Sequence, residues 1–388
     1  MAEARQKEAD HYSFHKLRPQ YKMFEIDSRL RYFKPHASKV ERTFAEEISG
    51  SLGRGSGSKF IDPKFFYDEI GSALFEEICT TPEYYLTRTE IALLERIADE
   101  IGALVADDAL GILGDGADND DGAATAAADD AARAGGGKNS GHLRLVELGS
   151  GSSVKTRIIL DALHRVQSAT EYFPIDISDI LTQSSEQLLT DYSNLGITGI
   201  VDTYEGGLEF LKEYDGGRSL IMFLGSSYGN LAPGDGATFL GRVRSAMKPG
   251  DLFLMGVDMA KERKVLEPAY NDSAGVTSRF NLNVLSRINS ELDADFDLGN
   301  FAHRAYYNSS EQRMEMHLES LCEQTVTVSK PGLELRFERG ELIHTENSYK
   351  YEPGQIRSML DSAGFRTVRQ WTDQNGYFML VLAEAPPL

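Results

Sequence analysis

Two acidic residues and the glycine turn between them are the part of this 388-residue sequence best suited to chemistry. Residues 145–148 read L-V-E-L, and a short apolar run with only Glu147 polar is typical of a buried parallel strand. The turn G-S-G follows at 149–151, and an apolar periodic segment after it predicts a helix. The next apolar run, residues 172–177, ends in Asp176 at the tip of a second strand. Glycine lets a ligand approach the backbone closely, and a carboxylate at a neighbouring strand end can bind ribose hydroxyls.

The details of the turn separate two classes of nucleoside cofactor. The dinucleotide fingerprint G-x-G-x-x-G requires a third glycine, whereas this sequence has Val154 there, which disfavours a dehydrogenase. A carboxylate before the turn, here Glu147, followed by G-x-G without the third glycine, is typical of S-adenosylmethionine sites. The turn alone is also compatible with an ordinary strand-to-helix connection, and Asp176 favours the cofactor site. Ser152 or Ser153 is predicted to cap the helix after the turn.

Composition restricts the class of protein further. The formal net charge is −20, which argues against nucleic acid or an anionic membrane surface as a partner. No apolar run approaches the length of a membrane span, and the first ten residues lack the apolar region of a signal peptide. The two cysteines, Cys79 and Cys322, lie far apart, which favours a reducing compartment and disfavours a zinc or disulfide framework. The histidines have no metal-ligand spacing. We therefore expect a cytoplasmic monomer without a metal.

The segments around the turn predict an α/β fold with a mostly parallel, doubly wound sheet. The strands predicted after the first two are 197–201, 219–224 and 252–257. A helix is predicted at 237–247. Two apolar runs, 367–371 and 377–383, flank D-Q-N-G and predict an antiparallel hairpin at the edge of this sheet.

Two other stretches depart from the alternation of strands and helices. Residues 261–351 begin helical and end in strand-like segments, and we expect them to form, with residues 1–59, a second, smaller α+β substrate-binding domain or lid. Residues 104–142 consist mostly of Ala, Gly and Asp, and predict a disordered surface insertion, because few large apolar side chains could stabilise it. The cofactor-binding core would then comprise residues 60–260 and 352–388.

Several sequence blocks resemble one family, the S-adenosylmethionine-dependent L-histidine Nα-methyltransferases of ergothioneine biosynthesis. The matching blocks are F-Y-D-E-I-G-S-A-L-F-E-E-I, P-E-Y-Y-L-T-R-T-E, E-L-G-S-G-S-S-V-K-T-R, F-L-G-S-S-Y-G-N-L, A-Y-N-D-S-A-G-V-T-S-R-F-N-x-N-V-L, E-L-D-A-D-F-D and T-E-N-S-Y-K-Y. They cover nearly the whole chain apart from the N-terminal tail and the Ala/Gly/Asp insertion. The resemblance implies a class I, Rossmann-like methyltransferase sheet with S-adenosylmethionine as the methyl donor.

The resemblance also implies which residues bind the cofactor. They are Tyr84, Gly149, Lys155, Asp176, Thr203 and Tyr204. Tyr84 would lie beside the methionine portion and Asp176 on the ribose. The family commonly has an Asp-Phe pair near the adenine, and the corresponding residues here are Thr203 and Tyr204, so the adenine contact departs from the family pattern.

On the substrate side, the resemblance implies contacts with each part of L-histidine. Asn230 and Tyr270 would bind the α-carboxylate. Tyr67, the implied catalytic residue, would lie near the α-amine. Methyl transfer to a neutral amine depends mainly on proximity and alignment, so no catalytic triad is required.

The imidazole would be held by Glu346 and Ser348, with Met316 packing beside the ring. The implied reaction is methylation of the α-amine of L-histidine and of its mono- and dimethyl forms, giving the betaine hercynine as the first step of ergothioneine biosynthesis. Two alternatives stay open: an N-methyltransferase of another aromatic amino acid or amine, and a non-catalytic S-adenosylmethionine-binding protein.

Overall fold

The computed structural model describes residues 20–36, 43–55, 57–106, 143–151, 153–177, 180–214 and 217–387. The insertion predicted at 104–142 lies outside these ranges from residue 107 onwards, while residues 104–106 belong to a helix. Of the helices in the described ranges, none combines the length and the apolar character that a membrane span requires.

The chain alternates between strands and helices over most of its length. The helices are α1 Phe44–Leu52, α2 Glu69–Thr80, α3 Tyr85–Ala106, α4 Val154–Val166, α5 Ile180–Asp191, α6 Tyr204–Lys212, α7 Pro233–Ala246, α8 Arg263–Ala269, α9 Val276–Leu292 and α10 Pro353–Ser362. The strands are β1 Tyr21–Asp27, β2 Leu30–Pro35, β3 Arg144–Leu148, β4 Thr170–Asp176, β5 Leu195–Val201, β6 Ser219–Phe223, β7 Leu252–Asp258, β8 Phe301–Asn308, β9 Arg313–Ser320, β10 Gln324–Val328, β11 Leu333–Phe337, β12 Leu342–Tyr349, β13 Arg366–Thr372 and β14 Phe378–Glu384.

A nine-stranded sheet in the order β1-β2-β5-β4-β3-β6-β7-β14-β13 forms the centre of the fold. Neighbours from β2 to β7 are parallel, whereas β1, β14 and β13 pair antiparallel. The predicted α/β, Rossmann-like class and the predicted C-terminal hairpin are therefore confirmed. The strand order reverses between β3 and β6, and ligands of such sheets bind at the carboxyl ends of the strands beside this reversal.

Helices cover both faces of the sheet, which explains why its central strands read as unbroken apolar runs. Successive side chains of β3 point to opposite faces. Leu145 packs in an apolar cluster with residues of α3 and α4. Val146 packs in a second cluster, on the other face, with residues of α6, α7 and α10. The strand is buried at every position, so it holds the turn that follows it in a fixed place.

The N-terminal residues divide differently from the prediction. The sequence analysis places residues 1–59 in the substrate-binding region. In the structure, β1 and β2 instead extend the main sheet, where Leu30 lies opposite Ile197 on β5. Tyr32 and Phe33 pack into the clusters on opposite faces of that sheet, which is why this segment belongs to it. Helix α1 does pack with the second region. The assignment is corrected for β1 and β2, and the two-domain division itself stays a prediction.

The second region joins α1, α2 and α9 to two small antiparallel sheets around an apolar cluster of its own. One sheet has the order β12-β9-β8, and the other is the hairpin of β10 and β11. Met316 on β9 pairs with Ala305 on β8 and with Glu346 on β12. A register shift between His344 and Glu346 marks a β-bulge in β12.

Candidate functional site

The turn between β3 and α4 has a left-handed backbone at several positions. Gly149 has φ 77°, Gly151 has φ 48° and Ser153 has φ 60°. Of the two predicted caps, Ser152 lies outside the described residues. Ser153 stands at the N-cap position of α4, but its side chain makes no capping hydrogen bond. Capping side chains typically belong to residues with an extended backbone, whereas the backbone of Ser153 is left-handed.

Residues that follow three adjacent strands converge on this turn. Gly149 follows β3, Asp176 ends β4, and Tyr204 begins the helix after β5. The Gly151 amide donates to Asp176 Oδ2 at 3.4 Å, and a Cβ on Gly149 would lie 2.8 Å from Tyr204 Oη. The structure therefore brings three of the predicted cofactor residues together.

The turn also fits a polar ligand. The hydroxyl oxygens of Ser150 and Ser153 are buried and have no hydrogen-bond partner among the residues that the structure describes. Buried polar groups without partners are costly, and a bound molecule with donors and acceptors relieves that cost. The close approach of Gly149 to Tyr204 shows that even a methyl group there would intrude. Both observations are compatible with a nucleoside cofactor at this position.

Thr203 and Lys155 have protein partners that the sequence did not indicate. Thr203 is the N-cap of α6, and its hydroxyl accepts from the Gly206 amide at 3.2 Å. Lys155 Nζ lies 2.6 Å from Glu90 Oε2, and Glu90, fully buried on α3, also accepts from the Gly225 amide at 2.9 Å. The cofactor contacts of Thr203 and Lys155 stay predictions, since each polar group already has a partner.

Three carboxylates, those of Glu90, Glu147 and Asp202, hold together the elements around the site. Glu147, the acid before the glycine turn, accepts hydrogen bonds from Thr156 and Tyr172, both at 2.6 Å, and burial raises its pKa to about 7. It thereby fixes the start of α4 against β3 and β4. Asp202, directly after β5, accepts from the Tyr21 hydroxyl at 2.6 Å and so ties β1 to the region around Thr203. Glu90 and Asp202 were not singled out from the sequence; a carboxylate just after a strand was the available signal for Asp202.

Aromatic side chains form one wall of the site. The ring centroids of Tyr84 and Tyr270 lie 6.3 Å apart, and those of Tyr67 and Phe280 5.8 Å apart. Burial is the main cause that raises the pKa of Tyr67, and the negative charges of Glu346 and Asp176 raise it further. Burial likewise raises the pKa of Tyr84. Tyr67 is therefore within electrostatic reach of one predicted substrate residue and one predicted cofactor residue.

The facing wall is the inner side of the β12-β9-β8 sheet. Glu346 lies opposite Met316, and Ser348 lies opposite Met314, so the three predicted imidazole residues share one face. Burial raises the pKa of Glu346 to about 7, although Lys350 acts in the opposite direction. Tyr270 donates to Ser348 Oγ at 2.8 Å, which joins the predicted carboxylate and imidazole residues.

Asn230 reaches the same region from the main sheet. It ends the 3-10 turn Ser227–Asn230 that follows β6. This turn packs so closely against β12 that a Cβ on Gly229 would lie 3.0 Å from the Tyr349 carbonyl oxygen. Asn230 is half-buried. Its contact with a substrate carboxylate stays a prediction, and its placement next to β12 is compatible with that role.

Lys350, which the sequence analysis did not single out, is fully buried beside these residues. Its Nζ lies 2.8 Å from each of Asp258 Oδ2, Tyr270 Oη and Ser348 Oγ. Although burial opposes its charged form, the carboxylate of Asp258 and the hydroxyl of Tyr270 raise the pKa of Lys350 to about 12. Its place in the block T-E-N-S-Y-K-Y was the available signal.

Glu315, His317 and His344 bring potential metal ligands within 4.8 Å of one another in the described part of the chain. They lie on the outer face of β9 and β12, away from Met316 and Glu346. Arg313, at 2.8 Å, and the Tyr306 hydroxyl, at 2.8 Å, already bind the Glu315 carboxylate. A cavity of about 440 Å³ beside His317 and His344 also lies on this side and does not border the glycine turn. The absence of a metal stays a prediction.

Comparisons with known proteins agree with this geometry. A family model described as histidine-specific, S-adenosylmethionine-dependent methyltransferase matches residues 44–385. A histidine N-alpha-methyltransferase from Mycobacterium tuberculosis is 38% identical over 84% of this chain and 90% of its own length. Ergothioneine biosynthesis protein 1 from Neurospora crassa is 26% identical over 89% of this chain and 36% of its own length. An L-tryptophan methyltransferase from Psilocybe serbica is 25% identical over 92% of this chain and 96% of its own length.

The family match spans both the main sheet and the second region, so it includes the glycine turn and the wall formed by β12. The chain belongs to the histidine-specific, S-adenosylmethionine-dependent methyltransferases.

Proposed function

We propose that this enzyme methylates the α-amino group of L-histidine, up to the trimethylated betaine hercynine, as the first step of ergothioneine biosynthesis. The observation that carries the proposal is the shared face of Met316, Glu346 and Ser348, joined to Tyr270 by its hydrogen bond to Ser348. The 38% identity to a histidine N-alpha-methyltransferase over most of both chains supports it.

S-adenosylmethionine, when bound, supplies an electrophilic methyl group on its sulfonium. The turn at Gly149 and the carboxylate of Asp176 would hold its nucleoside portion, with Tyr204 beside the turn. Tyr84 would lie against its methionine portion. Gly149, Asp176 and Tyr204 are fixed by the ends of β3, β4 and β5, and such rigid positioning is what alignment of a methyl donor requires.

The α-amine must attack as a neutral amine, since only then does nitrogen carry a lone pair. Tyr67 would lie beside this amine. Because burial and the charges of Glu346 and Asp176 raise the pKa of Tyr67, its phenol keeps its proton at neutral pH. Tyr67 therefore orients the amine through hydrogen bonding and does not act as a base. The ammonium form of the α-amine loses its proton to solvent. The rate enhancement then rests on proximity and orientation.

Recognition of the ring would use Glu346 as the acceptor of an imidazole N–H and Ser348 as the second polar contact. A hydrogen bond to a charged group contributes more than a neutral one. A substrate without ring nitrogens would leave Glu346 unpaired in a mostly buried position, which is costly. Asn230 and Tyr270 would bind the α-carboxylate and fix which amine reaches the methyl donor.

Mass spectrometry of L-histidine incubated with the enzyme and S-adenosylmethionine tests the proposal. Products carrying one, two and three added methyl groups are expected, with the trimethylated form accumulating at long times. A folded protein that binds S-adenosylmethionine and yields no methylated histidine would overturn the proposal and favour the non-catalytic alternative.

A second candidate substrate is another aromatic amino acid, because one relative is an L-tryptophan methyltransferase. The carboxylate of Glu346 disfavours this candidate, since an indole donates only a neutral N–H and cannot form the charge-assisted pair that a protonated imidazole makes. Competition between histidine and tryptophan in one reaction separates the two.

The cysteines Cys79 and Cys322 are both unpaired in the structure, which supports the proposed cytoplasmic location.

A further inference from the structure

We propose that Lys350 is a positioning residue for the substrate: it fixes the hydroxyl groups of Tyr270 and Ser348 so that the pair presents one O–H donor to the bound amino acid. This inference rests on the proposed function, in which those two side chains contact histidine. Lys350 itself would not contact the substrate.

The argument begins with the donors of Lys350. An ammonium group has three N–H donors and no acceptor. Lys350 Nζ has an acceptor at 2.8 Å for each of them: Asp258 Oδ2, Tyr270 Oη and Ser348 Oγ. All four side chains are buried. Each bond is thus protected from water, and the ammonium is held in one orientation.

A count of hydroxyl protons follows from this arrangement. Tyr270 and Ser348 carry one hydroxyl proton each, and the 2.8 Å contact between their oxygens uses one of the two. Both oxygens also accept from Lys350, so neither can turn its remaining proton toward the ammonium. One proton is left, that of Ser348 when Tyr270 donates to it, and we assign its acceptor to the bound substrate.

Asp258 has other partners besides Lys350, so its carboxylate stays paired when Lys350 is replaced. Asp258 ends β7 and also accepts from the hydroxyl of Tyr85 and from the ammonium of Lys261. Loss of Lys350 would therefore leave Asp258 paired with Lys261 and Tyr85, and the fold should survive. The positive charge of Lys350, which directly follows β12, also favours the ionised form of Glu346, four residues earlier in the chain. The cluster therefore supports an acceptor at Glu346 and a donor at the Tyr270–Ser348 pair.

Calorimetry of histidine binding in the presence of saturating S-adenosylhomocysteine tests the proposal. Lys350→Met is expected to weaken histidine binding about tenfold to a hundredfold, because it removes charge-assisted bonds that order both hydroxyls. Affinity for S-adenosylhomocysteine should change less than about twofold, since the variant leaves the glycine turn intact. If Lys350→Met does not bind S-adenosylhomocysteine, Lys350→Gln is measured in its place with the same expectation.

A double-mutant cycle with Ser348→Ala separates positioning from general stability. If Lys350 acts through Ser348, then Ser348→Ala costs less affinity in the Lys350→Met protein than in the wild type. Losses that simply multiply would overturn the inference. Lys59→Met is the matched control, because Lys59 is another buried lysine of the second region and pairs with Glu341. Its histidine affinity should equal that of the wild type.

The outcomes distinguish this inference from the proposed function. A wild-type protein that binds S-adenosylhomocysteine but not histidine would overturn the proposed function and this inference with it. A wild type that binds histidine, together with a Lys350→Met variant that binds it equally well, would overturn the role of Lys350 alone.

Discussion

Met316 and Glu346 lie opposite each other on the antiparallel strands β9 and β12, so a thioether and a carboxylate face the same space. Their pairing depends on the bulge in β12, because His344 is still paired with His317. An uninterrupted ladder would place Glu346 opposite Glu315 and turn it to the outer face. The bulge therefore determines that an apolar surface and a hydrogen-bond acceptor are presented together, as a flat ring with an N–H group requires.

The glycine turn gives a first prediction. Gly149→Ala should weaken S-adenosylmethionine binding about tenfold or more, since a left-handed alanine costs roughly 1–2 kcal/mol and its Cβ would approach Tyr204 Oη to 2.8 Å. Gly151→Ala is the matched control, because it has the same left-handed strain but its Cβ would have no atom within 4 Å in the described part of the chain beyond its neighbours in sequence. Titration calorimetry measures both. Tyr204→Phe removes the obstructing oxygen and should restore part of the loss; equal losses in the two alanine variants would contradict the prediction.

Asp176 gives a second prediction, for the ribose. Asp176→Ala should weaken S-adenosylmethionine binding by roughly 1–3 kcal/mol, the cost of polar groups left unpaired in a buried site. Histidine affinity, measured with S-adenosylhomocysteine present, should fall less. Glu171→Ala is the control, because Glu171 is an exposed carboxylate on the same strand β4. If calorimetry gives Asp176→Ala and Glu171→Ala the same cofactor affinity as the wild type, Asp176 does not bind the ribose.

The central strands could be predicted from the sequence because burial on both faces leaves unbroken apolar runs. The run at 219–224 corresponds to β6 Ser219–Phe223, and the run at 252–257 to β7 Leu252–Asp258. The glycine turn was equally visible, since φ values above zero favour glycine. Local composition carries both signals, and neither depends on distant parts of the chain.

Other features depend on distant contacts and leave no local signal. The pairing of β2 with β5 joins segments that lie far apart in the sequence, so β1 and β2 could not be assigned to the main sheet. The sequence around Lys350 is compatible with an ordinary surface lysine, and only the structure shows that Asp258 lies beside it. Thr203 was expected near the adenine, and only the start of α6 reveals that its hydroxyl caps that helix.

Glu346 gives a third prediction, for the pH dependence of stability. Burial raises its pKa from an ordinary value of 4.5 to about 7, so between these values the folded state holds a proton that the unfolded state has lost. This contribution to folding is complete below about pH 4.5 and is lost as the pH rises through about 7. Gln at this position does not titrate. Ligand-free Glu346→Gln should therefore exceed the wild type in unfolding free energy by up to roughly 3 kcal/mol at pH 8, and by much less at pH 4.5.

Thermal unfolding of both proteins at the two pH values measures this difference. Glu147 titrates in the same range, because burial also raises its pKa to about 7, but it is present in both proteins and cancels. A Gln variant whose stability relative to the wild type is the same at both pH values would show that Glu346 does not hold a proton there.

Specificity for the ring gives the last prediction, and it also rests on Glu346. If this carboxylate accepts an imidazole N–H, Glu346→Ala leaves that N–H without a partner in a pocket walled by Met316 and the tyrosines. Hydrogen bonds to charged groups contribute roughly 1.5–3 kcal/mol, so kcat/KM for histidine should fall about tenfold to a hundredfold. An indole can donate only a neutral N–H to this carboxylate and cannot form the charge-assisted pair of a protonated imidazole, so tryptophan should lose less than histidine and discrimination against it should relax.

Competition kinetics with histidine and tryptophan measure the ratio of their kcat/KM values in wild type and variant. Glu334→Ala, which removes an exposed carboxylate from β11 in the same region, serves as the control and should leave the ratio unchanged. The ratio should shift toward tryptophan in Glu346→Ala alone, even where the absolute rate on tryptophan stays low. Because selectivity is a difference between two transition-state affinities, a uniform loss of activity on both substrates cannot produce this shift. An unchanged ratio in Glu346→Ala would mean that the ring is recognised elsewhere.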